Sequence, residues 1–206
     1  HRGPDDFGIY SDEKVAIGNQ RLSIIDIEGG HQPFESTNKN IVVVQNGEIF
    51  NHVELREFLQ KKNINFSTNC DTEVILKMYE LYGLECFKYF NGMFSIAIYD
   101  KNESKLLLIR DRLGIKPLYY IIQNNTIIFG SEIKSILKAN IEKPKVSEES
   151  IFYYLKYNFV PPPYTIYNNI YHLNPGSYIE FTKEKQKIQQ WWDLSKINLN
   201  KTKKER

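Results

Sequence analysis

The chain has 206 residues, of which 41% are hydrophobic and 14% aromatic, a composition that can build the core of one large domain. Its 27 basic and 25 acidic residues are spread along the chain and leave a formal net charge of +2, so we expect neither a nucleic-acid nor a membrane partner. The two cysteines have neither metal-site spacing nor a disulfide framework, which favours a reducing cytoplasm as the location. Because the chain begins with His1 rather than Met, we interpret it as a fragment.

Six segments rich in β-branched and aromatic residues predict strands. In chain order they are residues 14–18, 40–45, 93–100, 104–111, 117–123 and 126–131. The last three follow one another through short polar loops, which predicts an antiparallel meander.

Helical spacing of apolar residues predicts two longer helices, over His52–Lys62 and Thr72–Phe87. The residues expected on the buried face of the second are Ile75, Met78, Tyr79, Tyr82 and Cys86. Two shorter helices are expected to begin near Ser131 and Ser147. Residues 159–181 carry four prolines and are rich in tyrosine, which predicts extended segments and turns.

The dipeptide Asn46-Gly47 follows a strand, where Asn-Gly is typical of a hairpin turn. The pattern Asn51-His-Val-Glu54 resembles a capping box, however, and predicts a helix immediately afterwards. We therefore expect the dipeptide in a short strand-to-helix connection. There the Asn46 amide and the Gly47 N–H could point at one oxygen and form an oxyanion hole, although the local sequence favours a plain tight connection.

Four other residues are candidates for chemistry. Asp71 stands before a helical run, where an N-cap role is the usual interpretation and contact with a substrate ammonium is the alternative. Arg21 could capture a carboxylate, although most arginines are solvated. Cys86 falls on an apolar helix face, which favours inert packing. Cys70 precedes a helix start that could lower its pKa, but no histidine is placed to serve it.

Taken together, these segments resemble the glutaminase domain of asparagine synthetase, a class II glutamine amidotransferase of the N-terminal-nucleophile hydrolase superfamily. The resemblance covers nearly all of the chain to about Asp193. Its matching stretches, in family order, are HRGPDDFGIY, RLSIID, QNGEIFNH, CDTEVIL, FNGMFSIAIYD, RDRLGIKPLYY, FGSEIKSIL and the Pro/Tyr-rich PPPYTIYNNIYHLNPGSY.

The resemblance implies an α+β fold, an αββα four-layer sandwich with two antiparallel sheets between helical layers. It also implies that Arg21 binds the α-carboxylate of glutamine, that Asp71 binds its α-amino group, and that Asn46 and Gly47 form the oxyanion hole. The other residues that it places in the substrate pocket are Leu22, Ser23, Ile24, Ile25 and Glu48.

In the same family the nucleophile is a cysteine at the amino terminus of the mature chain, activated by its own α-amino group. This chain begins too late to contain that cysteine, so we expect no glutaminase activity from it alone. Residues 1–185 are expected to be the glutaminase domain and residues 186–206 a linker toward a synthetase domain.

In the full enzyme, that synthetase domain would use ATP and Mg²⁺ to amidate aspartate to asparagine. No cofactor is expected in this chain. Glutamine and the synthetase domain are the expected partners, and a homodimer is an open alternative. The remaining alternatives are an amidotransferase with another acceptor and a non-catalytic regulatory module of the same fold.

Overall fold

The computed structural model describes residues 2–139, 142 and 144–196 of the chain. The strands of this part are β1 (Asp6–Ser11), β2 (Ala16–Arg21), β3 (Phe34–Glu35), β4 (Ile41–Ile49), β5 (Gly92–Asp100), β6 (Lys105–Arg110), β7 (Tyr119–Gln123), β8 (Thr126–Gly130), β9 (Tyr171–His172), β10 (Ser177–Phe181) and β11 (Gln186–Gln190). Its helices are α1 (His52–Gln60), α2 (Asp71–Tyr82), α3 (Ile133–Lys138) and α4 (Glu148–Tyr157), with 3₁₀ turns over Gly83–Tyr89 and Leu194–Lys196. Among the described residues, none of the helices has the length and apolar character needed to cross a membrane.

The central element is a six-stranded sheet in the order β11-β10-β6-β5-β4-β3, in which all neighbours are antiparallel. Its middle strands are almost continuously buried, as runs of valine, isoleucine and leucine predict for a sheet covered on both faces. Alternate residues of each strand therefore supply two separate cores.

On one face, α1 and α2 pack against the sheet. Val43 and Ile49 of β4 meet Leu59 of α1 and Ile75 and Met78 of α2, and all five side chains are buried. The expected apolar face of α2 is confirmed, except that Tyr82 is only partly buried. The helix ends at Tyr82 because Gly83, at φ +54°, breaks it, and a 3₁₀ turn covers the rest of the expected span.

On the other face lies a second β-layer made of two separate antiparallel sheets, β1-β2 and β8-β7-β9. Val44 of the central sheet packs there with Ile17 of β2 and Leu118 before β7. Beyond β7, Ile136 of α3 covers Ile121 and forms the fourth layer. The expected αββα arrangement with antiparallel sheets is confirmed, with a second β-layer that is divided in two.

Two local predictions around Asn46 are wrong. The dipeptide Asn46-Gly47 lies inside β4, which continues to Ile49 because it pairs with β5 over its full length. Asn51 is the N-cap residue of α1, but its side chain makes no capping bond, since it is bonded instead to the Tyr89 carbonyl and the Asn91 N–H.

The predicted meander is correct only in part. β7 and β8 form a hairpin, whereas β6 pairs with β5 and β10 and not with β7. The reason is Asp111, whose carboxylate accepts backbone N–H groups from Leu113, Ile115 and Lys116 and turns the chain out of the central sheet.

The carboxyl-terminal part of the chain forms the edge of the central sheet. β11 pairs with β10 along its whole length, and Trp191 stacks on Phe94, so the sheet continues past the expected boundary at residue 185. The linker expected over 186–206 thus includes β11 in its first residues, and the division into domain and linker stays a prediction, since residues 197–206 lie outside the described part.

The two shorter helices form where they were expected. Ser147 caps α4 by accepting the Ser150 N–H, while α3 begins at Ile133. In α4 only Ser150 is buried, and Leu155 is 76% exposed.

Candidate active site

The backbone of β4 leaves the Gly47 N–H on the edge of the strand that faces away from β5. Phe94 lies opposite Gly47, but its N–H and C=O are bonded to Asp111 on the far side of β5. On the edge that Gly47 faces, the Gln45 N–H donates to Gln32 Oε1 at 2.7 Å and the Ile49 N–H donates to Asp71 Oδ2 at 3.0 Å. The Gly47 N–H lies between these two donors, and β3 reaches only as far as Val43.

Only glycine fits at position 47. Its φ is +136°, and a Cβ atom there would lie 1.9 Å from the Met93 carbonyl oxygen. Asn46 and Gly47 line the same cavity. The two donors are therefore neighbours, as an oxyanion hole requires.

Asn46 points to the opposite face of β4 from Gln45. Its Nδ2 donates to Ser131 Oγ at 3.2 Å, and Ser131 lies between β8 and α3. One side-chain N–H of Asn46 thus joins the two β-layers, while the second remains for a ligand.

Asp71 is the first residue of α2 and not its N-cap, a position that Cys70 occupies without a side-chain capping bond. Its side chain is only 5% exposed, and Oδ2 accepts hydrogen bonds from Gln45 Nε2 at 2.6 Å and from the Ile49 N–H at 3.0 Å. The predicted helix cap is instead an acceptor in the cavity wall, because the carboxylate is turned toward β4.

Arg21 ends β2 and is 8% exposed. Three of its five N–H donors bond to carbonyls of its own loop, at Ile25 (2.8 Å), Asp26 (2.8 Å) and Ile27 (3.1 Å). The guanidinium therefore orders the loop that forms one wall of the cavity and keeps two donors for a ligand.

The cavity enclosed by these elements has a volume of about 810 Å³. Of the residues predicted for the substrate site, it brings together Arg21, Leu22, Ile24, Ile25, Asn46, Gly47, Glu48 and Asp71. Ser23 is not in the lining, and its backbone N–H donates to Asp5 Oδ2 at 2.8 Å. These eight predicted residues supply one cation, two carboxylates and adjacent N–H donors, and the lining also contains Arg2, Lys116, Lys134 and Glu132.

A second cavity of about 890 Å³ adjoins the first and forms a groove between β2 and β8. Within the described part of the chain, β2 is paired only with β1, and β8 only with β7. The floor of the groove is the apolar face of the central sheet, with Val44, Ala97 and Leu106. Two open strand edges above an apolar floor can accept an extended segment by strand addition.

The two cavities meet around Asn46. The residues that line both are Gly18, Asn19, Gln45, Asn46, Phe129, Gly130 and Ser131. An extended segment in the groove would therefore reach the Asn46 amide at its end.

Neither cysteine of the chain has the environment of an activated thiol. Cys86 is fully buried in the core, and burial raises its pKa. Cys70 lines the first cavity but is 1% exposed, its Sγ lies 3.1 Å from Thr68 Oγ1, and burial raises its pKa as well. The expectation that a helix start could lower the pKa of Cys70 is wrong because desolvation has the larger effect.

Among the lining residues that sequence reasoning missed are Gln45, Lys116 and Ser131. Gln45 and Ser131 each bond to a predicted site residue. The available signal was a pair of amide residues, Gln45 and Asn46, at the end of an otherwise aliphatic strand. Groups of three or more His, Cys, Asp or Glu side chains that could hold a metal are absent from the described residues.

Comparison with known proteins agrees with this fold. A family model described as a glutamine amidotransferase domain matches residues 1–192, so the chain belongs to the class II glutamine amidotransferase domain family. Two similar relatives are the glutamine-hydrolysing asparagine synthetases 1 and 2 of Bacillus subtilis. They are 42% identical over 86% of this chain and 38% identical over 97% of it.

The chain spans only 28% and 27% of the lengths of these two relatives. Among solved structures, the glutamine phosphoribosylpyrophosphate amidotransferase of B. subtilis aligns with a TM-score of 0.59 over 86% of this chain and 35% of its own. At 19% identity this likeness concerns the fold alone.

Proposed function

We propose that this chain is the glutamine-binding and glutamine-hydrolysing domain of an asparagine-synthetase-type amidotransferase. The observation that carries the proposal is the arrangement of one cavity, with Asp71, Arg21 and the Asn46-Gly47 donors around it. Glutamine is a zwitterion with a scissile amide carbonyl at the other end. It needs an anion for its ammonium, a cation for its carboxylate and two donors for its oxyanion.

In this proposal the α-ammonium binds Asp71 and the α-carboxylate accepts a hydrogen bond from one of the unbonded N–H donors of Arg21. The amide carbonyl then lies against the Asn46 Nδ2 and the Gly47 N–H. Attack on the carbonyl carbon moves its electron pair to the oxygen, and those two donors stabilise the resulting negative charge.

The nucleophile is the amino-terminal cysteine that the family resemblance implies. We propose that an extended segment carrying it occupies the groove between β2 and β8, because that groove ends at Asn46. Its thiolate would form the C–S bond, and the amide nitrogen would leave as ammonia after taking up a proton. Water would then hydrolyse the thioester to glutamate and the free thiol.

The proposal for the ammonia acceptor rests on the similarity to asparagine synthetases and not on the residues of this cavity. Both B. subtilis relatives are named asparagine synthetases and are more than three times as long as the matched region. We propose that the full protein carries a synthetase domain, which activates aspartate with ATP and Mg²⁺ and amidates it.

Residues 1–206 should not hydrolyse glutamine by themselves, because Cys70 and Cys86 are buried thiols with raised pKa values. Ammonia release by the purified 206-residue chain would contradict this. Addition of an amino-terminal strand that begins with cysteine is expected to give activity.

Calorimetric titration with L-glutamine tests the binding half of the proposal. We expect one molecule bound per chain. Asp71→Asn should weaken binding about tenfold, because it removes a charge-assisted hydrogen bond. A folded chain that binds no glutamine, with or without the added strand, would overturn the proposed function.

A further inference from the structure

Gln45 is a polar side chain in a position where the strand otherwise buries apolar ones. It follows four buried aliphatic residues of β4 and is itself only 5% exposed. Its Nε2 donates to Asp71 Oδ2 at 2.6 Å. Its Oε1 is buried and has no hydrogen-bond partner among the described residues.

The orientation of the Gln45 amide follows from its partner. An ionised carboxylate only accepts hydrogen bonds, so the NH₂ end of the amide must face Asp71. The carbonyl end is then left without a donor, which is unfavourable in the interior. A leucine or methionine would pack there without an unpaired group, and the core gains nothing from the amide. Within the described part of the chain, the one hydrogen bond that the side chain makes is the bond to Asp71.

That bond fixes one oxygen of Asp71. Oδ2 is held by Gln45 Nε2 and by the Ile49 N–H at 3.0 Å, while Oδ1 has no hydrogen-bond partner among the described residues. Gln45 is itself held by its main chain. Its N–H donates to Gln32 Oε1 at 2.7 Å, and its C=O accepts from Asn19 Nδ2 at 3.1 Å. A rigid donor on Oδ2 therefore determines the direction in which Oδ1 faces the cavity.

We propose that Gln45 is a positioning residue that makes the site selective for substrates with a free α-ammonium group. It holds the Asp71 carboxylate so that Oδ1 receives the ammonium in one fixed geometry. This inference rests on the proposed function, since it takes the ligand of Asp71 to be the α-ammonium of glutamine.

The test compares two ligands that differ only in that group: L-glutamine and glutaric acid monoamide, which is glutamine without its α-amino group. The wild-type chain should prefer glutamine in calorimetric titrations. Gln45→Met, which keeps the length of the side chain and removes the donor, should reduce this preference roughly tenfold by weakening glutamine alone. Gln45→Leu should behave in the same way and serves if the methionine variant does not fold.

A matched control removes a buried hydrogen bond far from the cavity. Thr165 is 5% exposed, and its hydroxyl donates to the Ile170 carbonyl at 2.8 Å. Thr165→Val should lower the thermal stability and leave the ligand preference unchanged. In a chain that already carries Asp71→Asn, Gln45→Met should change the preference less than twofold, because the group that it orients has lost its charge.

The outcomes separate the inference from the function on which it rests. If folded Gln45 variants keep the wild-type preference, the positioning role is wrong while the proposed function stands. If the wild-type chain binds both ligands equally well, Asp71 does not bind an α-ammonium, and the proposed substrate is wrong as well. An equal loss of affinity for both ligands would indicate a damaged cavity and would also overturn the positioning role.

Discussion

The side-chain amide of Asn46 donates a hydrogen bond to the hydroxyl of Ser131 across 3.2 Å. Asn46 belongs to the central sheet, and Ser131 belongs to the turn that joins β8 to α3 in the outer layers. Both residues line both cavities. The bond fixes the plane of the amide, so the second N–H of Asn46 has one direction in which to meet an oxyanion.

Ser131→Ala should therefore impair catalysis more than substrate binding. In the full-length enzyme we expect kcat for glutamine hydrolysis to fall about tenfold with little change in KM, because the oriented donor acts mainly in the transition state. Asn46→Ala, which removes the donor itself, should cost roughly 10²–10³-fold in kcat. Ser131→Thr keeps the hydroxyl and should recover most of the rate. An unchanged kcat in Ser131→Ala would show that the amide needs no such support.

Gly47→Ala should disrupt the fold as well as the site. The new Cβ would lie 1.9 Å from the Met93 carbonyl oxygen at a φ of +136°, and both the clash and the strain oppose the native backbone. We expect a loss of at least about 3 kcal/mol in the free energy of unfolding, measured by urea titration. Gly18→Ala is the control, because a Cβ there would meet nothing nearer than 3.5 Å and should change stability by less than about 0.5 kcal/mol. Similar losses in the two variants would contradict the assigned role of Gly47.

These residues also show how far sequence reasoning reaches. The helices and the inner strands could be predicted because their patterns are local, as with Ile75 and Met78 on one face of α2. The position of Asn46-Gly47 could not, because an Asn-Gly pair is usually a turn and only the nine-residue pairing with β5 makes it part of a strand. β1 and β11 were missed because they are edge strands with many exposed residues. Their strand conformation depends on pairing with the neighbouring strands, which the local sequence does not show.

The candidate site shows the same limit. The family resemblance, with its motifs in order along the chain, predicted Arg21, Asn46, Gly47 and Asp71 in one pocket. All four residues line the cavity. The residue that orients Asn46 is far away in the sequence, since Ser131 lies 85 positions from it. A single sequence contains no signal for such a pair.

Arg21→Lys should loosen the loop that forms the cavity wall. A lysine keeps the charge, but its single ammonium cannot bond the carbonyls of Ile25, Asp26 and Ile27 in the geometry that the planar guanidinium provides. We expect faster cleavage by thermolysin beside Leu22 and Ile24, which are 60% and 71% exposed, and roughly tenfold weaker glutamine binding.

Arg112→Lys is the control for this change. Arg112 donates a hydrogen bond of 3.2 Å to the Lys88 carbonyl, and neither residue lines the cavity. Glutamine should slow the cleavage of the wild-type loop. Equal cleavage rates in the wild-type chain and Arg21→Lys would show that the loop does not depend on the guanidinium.

The chain segment that leads to Asp71 is held in place by hydrogen bonds to the carboxylate of Glu73. The stability of the fold should therefore be sensitive to acid. Glu73 is 2% exposed and accepts four hydrogen bonds, from Ser67 N (2.9 Å), Ser67 Oγ (3.0 Å), Thr68 N (2.8 Å) and Thr68 Oγ1 (2.7 Å). Burial by itself raises the pKa of Glu73, but these hydrogen bonds have the larger combined effect and hold its pKa below the ordinary value of 4.5.

Because the folded chain has the lower pKa, the unfolded chain takes up the proton first as the pH falls. The contribution of Glu73 to stability is complete well above pH 4.5 and is lost as the pH drops from 4.5 toward the lower folded-state pKa. Glu73→Gln should lower the free energy of unfolding by about 2 kcal/mol at pH 7, and the difference from wild type should shrink in acid. Glu80→Gln, which removes a surface pair with Lys77 at 3.1 Å, should cost less than about 0.5 kcal/mol at either pH. Urea unfolding at pH 7 and pH 4 measures both variants, and a deficit of Glu73→Gln that is the same at both pH values would show that this carboxylate does not set the acid sensitivity.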